Sequence, residues 1–64
     1  MPITNVKVKL TGTDGNAFAI LGKVREALKR AGHKEELIKE YMSKAMSGDY
    51  DNLLATTMEY VEVE

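Results

Sequence analysis

Few side chains in this sequence could do chemistry, and none of them falls into a reactive constellation. There is no cysteine, so thiolate nucleophiles, disulfides and thiolate metal sites are excluded. Ser43 and Ser47 fall in or just after a helical stretch, with no base near them in sequence. His33, the single histidine, follows the helix-ending Gly32 and reads as an exposed turn residue. A general-base role would need a cleft and a fixed orienting partner, and the pattern offers neither. Asp49-Tyr50-Asp51-Asn52 has the look of the first ligands of a calcium loop, but the glycine and closing glutamate of such a loop are out of register. Helix capping accounts for Asp49 and Asp51 without a metal. Gly12 and Gly15 form a glycine turn before a helix start and Gly22 lies inside that helix, which invites a phosphate-binding reading. Their spacing fits neither the dinucleotide fingerprint nor the P-loop, and Asp14 would repel an anion there. No catalytic residue, metal site or cofactor is expected, and the chain does not read as an enzyme.

What remains is binding chemistry. Lys23, Lys29, Arg30 and Lys34 lie on or beside the first helix, with Arg25 around it, and could touch phosphates. Glu26 interrupts them and no exposed aromatic accompanies them for base stacking, so a solvated helix face is the commoner explanation. Phe18 lies one turn before Gly22 on the same side, away from the main apolar stripe. The pair is either a flank of the core or part of a subunit contact. Tyr60 alternates with Glu62 and is expected on the wet face of a strand, where it could cover a partner's edge. Met42, Met46 and Met58 read as core filler. Phe18, Gly22 and Tyr60 are therefore the candidate partner contacts.

The elements that must position these residues are legible from periodicity. Val6, Val8 and Leu10 alternate with Lys7 and Lys9, and Val61 and Val63 alternate with Glu62 and Glu64. Period-2 alternation marks strands with one buried and one wet face. The wet faces carry opposite charge, which favours pairing of the two ends. Thr11–Gly15 concentrates turn residues, with Asp14 as the first choice of N-cap and Asn16 as the second. Ala17, Ile20, Leu21, Val24, Ala27, Leu28 and Ala31 then form one apolar stripe over about four turns. Lys29 and Arg30 suit the negative end of that helix, and Gly32 stops it.

A second helix is predicted from about Lys34 to Met46, with Leu37, Ile38, Tyr41, Met42, Ala45 and Met46 inward and Glu35 and Glu36 in its first turn. Asp49 restarts the pattern with a short helix that fades around the β-branched Thr56 and Thr57, and the last strand begins near Glu59. The expected fold is a two-layer α+β domain of order β-α-α-α-β, its two-stranded sheet packed on a helical hairpin. Isolated two-stranded sheets are mostly antiparallel, and that direction is the expectation.

At 64 residues the chain makes one small domain, and a domain of this size buries only ~60% of its unfolded surface. Proteins so small often need a staple, and with cysteine absent the expected one is self-association, a homodimer through the sheet edges. The formal net charge of −1 conceals an asymmetry. Residues 1–34 carry seven cations against two anions, and residues 35–64 carry two against eight. The halves attract each other within the fold, or the basic half offers a surface to an acidic partner. The longest apolar stretch, Ala17–Leu21, falls far short of the ~20 residues that span a bilayer, and no segment reads as a signal peptide. A cytoplasmic protein without membrane contact is expected.

The blocks Gly12-Thr-Asp-Gly-Asn-Ala-Phe-Ala-Ile-Leu-Gly22 and Ser47-Gly-Asp-Tyr-Asp-Asn-Leu-Leu-Ala55 resemble small uncharacterised proteins of bacteria and bacteriophages. The similarity runs through most of the chain, including the valine-rich start and the closing Tyr-Val-Glu-Val. It implies a compact intracellular protein, phage- or prophage-encoded, and carries no activity or site residues with it. The functional expectation is a non-enzymatic interaction or regulatory module acting on a protein partner, with nucleic-acid binding by the first helix as the alternative.

Overall fold

In the computed structural model, which describes residues 2–10 and 16–64, the order is β1 (Lys7–Val8), α1 (Ala17–Arg30), α2 (Glu35–Ala45), α3 (Tyr50–Tyr60) and β2 (Glu62–Val63). The α+β architecture is the one the periodicity predicts. The turn expected over residues 11–15 and its cap Asp14 lie outside the described residues.

Both ends of α1, the end of α2 and the start of α3 have identifiable causes. Asn16 caps α1, its side-chain oxygen accepting from the Phe18 amide at 2.8 Å. Beyond Arg30, Gly32 takes the left-handed φ of 83°. The Gly32 amide donates to the Lys29 carbonyl and the His33 amide to the Leu28 carbonyl, which together make a Schellman motif. Asp49 caps α3 by accepting from the Asn52 amide at 2.9 Å. The Asn52 side-chain amide in turn donates to the Lys44 carbonyl at 2.9 Å, satisfying one of the orphan carbonyls at the end of α2. Gly48 permits this tight junction: a β-carbon there would stand 3.0 Å from Asn52 Cβ. Capping thus accounts for Asp49 and Asn52.

The strand pairing corrects the expected direction. β1 and β2 run parallel, with Lys7 opposite Glu62 and Val8 opposite Val63. The antiparallel expectation rests on the prevalence of that direction among isolated two-stranded sheets, beside a third helix expected to be short and to fade around Thr56 and Thr57. That helix is instead a full 11-residue element, which at about 1.5 Å per residue makes a third traverse of the domain and delivers β2 to the end where β1 starts. The alignment extends beyond the two-residue strands. Ile3 and Thr4 amides donate to the Glu59 and Tyr60 carbonyls, and the Glu62 and Glu64 amides donate to the Val6 and Val8 carbonyls. The buried Thr4 hydroxyl adds a second bond, 2.7 Å, to the Tyr60 carbonyl.

One core forms between the sheet and the helices, from Val8, Ile20, Leu21, Val24, Leu28, Ile38, Tyr41, Ala45, Leu53, Tyr60 and Val61. The apolar stripes of α1 and α2 are largely those predicted. Four expectations are overturned. Thr56, Thr57 and Tyr60 continue the helical spacing from Leu53 and face inward. Tyr60 is therefore a fully buried core ring in the last turn of α3, and not a surface residue of a strand. Met58, on the opposite side of that helix, is 59% exposed, as Met46 is at 56%. Val63, expected inside, is 38% exposed at the last position of β2.

Candidate interaction surfaces

Two buried hydroxyls of the core, those of Thr57 and Tyr41, are committed to structure. The Thr57 hydroxyl donates to the Leu53 carbonyl at 2.8 Å. Its single proton is thereby used, so the Tyr41 hydroxyl, 2.8 Å from the same oxygen, is the donor to Thr57. Burial raises the Tyr41 pKa above its ordinary value. Tyr60 meets Tyr41 edge to face with centroids 5.4 Å apart. The Lys44 ammonium stands 5.8 Å from the Tyr60 ring centroid. The buried Tyr60 hydroxyl has no partner in hydrogen-bonding geometry. Burial, reinforced by the neighbouring Glu40 carboxylate, pushes its pKa up to about 12.

Elsewhere the reactive residue types stay apart. His33 is half-buried in a shallow hollow with Arg25, Lys29, Glu35 and Ile38. Ser47 turns its hydroxyl onto the Lys44 carbonyl at 2.7 Å. Among the described residues no three histidine or carboxylate side chains gather as metal ligands.

Two surfaces do bring side chains together. The first is apolar and lies where the start of α1 meets the junction of α2 and α3. Because Asn16 caps α1, Phe18 falls in its first turn, pointing away from the stripe of Ile20, Leu21 and Val24. It is 79% exposed, so it does not flank the core. Met46, past the end of α2, is 56% exposed and Tyr50, just after the Asp49 cap, 42%. With Ala17, Leu21 and Leu53 they surround an open hollow of about 320 Å³. Gly22 is not part of it.

The second surface is basic and lies between β1 and α1. Lys7 of β1 and Lys9 just beyond it line a trough of about 430 Å³ with Lys23 and Arg30 of α1, and Glu26 is the one anion among the lining residues. Gly22 and Ala27 are among its small lining residues. Among the described residues, and apart from its own helix, nothing would lie within 4 Å of a β-carbon at Gly22, so this glycine leaves open space and does not serve a close approach. The four cations expected on α1 are divided. Lys23 and Arg30 line the trough, Lys29 lies with Arg25 and His33, and Lys34 sits beside Glu36 and Glu40.

Of the three expected contact residues, then, Phe18 and Gly22 belong to two different surfaces and Tyr60 to neither. Sequence reasoning missed Met46 and Tyr50 as companions of Phe18, and Lys7 and Lys9 as companions of Lys23 and Arg30. The Gly48-Asp49 junction was the available signal for the first group. The second depends on which strand lies against α1. No helix among the described residues is long and apolar enough to cross a membrane. No family model, curated protein or solved structure matches the chain, so the resemblance of its two glycine-containing blocks gains no support from these comparisons and supplies no residue roles.

Proposed function

We propose that the chain is a non-enzymatic protein-interaction module of the cytoplasm, docking through its apolar end. The observation that carries this reading is the cluster of Phe18, Met46 and Tyr50, three large side chains exposed around one apolar hollow. Scattered single apolar residues are normal on a surface, whereas a contiguous group of this kind marks a contact site. A phenylalanine exposed to this degree contributes little to the fold that carries it.

A second copy of the chain is the first partner this reading names. A two-fold contact needs only one self-complementary patch, and a small domain gains most from added buried surface. The sheet edges serve that purpose less well. Antiparallel two-fold pairing of two β1 edges would bring Lys7 and Lys9 of one copy against those of the other, and like charges across strands repel.

Sedimentation from micromolar to millimolar concentration, with Phe18→Ser alone and combined with Tyr50→Ser, tests the reading. Wild type is expected to associate and both variants to stay monomeric with unchanged helix content. Immobilised wild type and variant should also retain different proteins from a host extract. If the wild type stays monomeric and the two baits retain the same proteins, the reading fails. Nucleic-acid binding by Lys23, Lys29, Arg30 and Lys34 has less support, because these cations are spread over three hollows and no aromatic ring accompanies any of them.

A further inference from the structure

We propose that the outer edge of β1 and the basic trough beside it accept an extended acidic segment of a partner protein as an added strand. The inference rests on the interaction-module reading but uses a different surface, so the two can fail separately.

The backbone supplies the first argument. Because the Glu62 and Glu64 amides donate to the Val6 and Val8 carbonyls, the bonds to β2 are made by the even-numbered residues of the N-terminal segment. The peptide groups of Lys7 and Lys9 point the other way. Among the described residues no backbone is seated on them. An edge of this kind takes a strand by main-chain pairing, with side-chain pockets adding specificity.

The side chains say what kind of strand. Lys7, Lys9, Lys23 and Arg30 border the space such a strand would fill, against Glu26 alone. The chain holds an example of the occupant on the inner edge of the same strand, where β2 places Glu62 opposite Lys7. A segment alternating carboxylates with small apolar residues would repeat that arrangement on the outer edge. Its acidic side chains would meet the lysines, and its small side chains would lie over Gly22 and Ala27, where the missing glycine side chain leaves room.

Two other occupants fit less well. A single-stranded nucleic acid would find cations but no ring to stack on, and would leave the peptide groups of Lys7 and Lys9 without regular partners. A second copy presenting its own β2 would make a head-to-tail contact that propagates without closing.

A short alternating Val-Glu peptide, a Val-Gln peptide of the same length and a mixed-sequence single-stranded DNA oligonucleotide, each titrated into the isotopically labelled protein, test the proposal. The Val-Glu peptide should bind, protect the Lys7 and Lys9 amides from hydrogen exchange, and weaken as salt rises. The Val-Gln peptide should bind at least several-fold more weakly. Lys7→Gln and Lys9→Gln should each weaken the Val-Glu complex by up to about five-fold, the range of one cross-strand ion pair. Gly22→Leu should fill the trough and abolish binding while the amide spectrum stays that of a folded protein. Phe18→Ser, which disrupts the apolar end, should bind the peptide as wild type does. Equal binding of the two peptides, unprotected Lys7 and Lys9 amides, or preference for the oligonucleotide at matched salt would each overturn the proposal.

Discussion

Replacing Thr57 by valine isolates the polar link in the core. The substitution keeps the β-branch and the volume and removes one oxygen, which has two partners: the Leu53 carbonyl and the Tyr41 hydroxyl, each at 2.8 Å. The Leu53 carbonyl is a helical acceptor, already paired with the Thr57 backbone amide in the i to i+4 ladder, and loses little. The Tyr41 hydroxyl is different. It is a donor in a fully buried side chain, and without its acceptor it bears the desolvation cost of an unpaired polar group, about 1–3 kcal/mol. A domain of 64 residues has a total stability on the order of 3–10 kcal/mol, so this one oxygen decides a sizeable fraction. Tyr41→Phe removes the donor and leaves the Thr57-to-Leu53 bond intact, for a cost of only about 1 kcal/mol. The double variant leaves no orphan, so it should be more stable than Thr57→Val alone, with a coupling of about 1–2 kcal/mol. Urea denaturation of the four proteins at neutral pH, with slopes compared for constancy, measures the cycle. Additive single effects, or a Thr57→Val protein as stable as wild type, would refute the assignment of Tyr41 as a donor that depends on Thr57.

The other expectations are independent of that cycle. Gly22→Ala adds a methyl to a helix interior where nothing lies within 4 Å, so thermal unfolding should show a gain of about 0.8–1 kcal/mol from helix propensity. The same change at Gly48 drives a β-carbon to 3.0 Å from Asn52 Cβ and should lower the melting temperature. The folded-state pKa of Tyr60 is about 12 against an ordinary 10.0. The unfolded chain therefore releases this proton first: stability is untouched below about pH 10 and falls as pH rises toward 12. Tyr60→Phe should flatten part of that alkaline decline in chemical denaturation, while Tyr41, also raised, keeps the remainder. At neutral pH the same variant removes a hydroxyl that has the neighbouring Glu40 carboxylate to interact with but, among the described residues, no partner in good hydrogen-bonding geometry, so it should cost no more than about 1 kcal/mol. Asp49→Ala should remove the α3 cap and lower stability by about 1 kcal/mol in the same assay.

Local rules of the chain determined the first two helices, the start of the third and the pairing of the ends. The spacing of Ile20, Leu21, Val24 and Leu28 dictates α1 whatever lies against it, and Gly32 stops that helix because only a left-handed residue completes its last hydrogen bonds. Lys7 and Glu62 carry opposite charge at matched positions of two alternating segments, and they do lie opposite one another. Tertiary structure decided the rest. Thr56 and Thr57 favour strand on their own, yet Leu53, Thr57 and Tyr60 gain burial against Tyr41 only along one helical face, and packing outweighs an intrinsic preference of a few tenths of a kcal/mol. That extra length of α3 made the sheet parallel, put Tyr60 inside and left Met58 outside. The two surfaces are likewise products of assembly. Phe18 joins Met46 and Tyr50, and Lys7 joins Arg30, only because distant elements pack side by side, and no spacing along the chain records that distance.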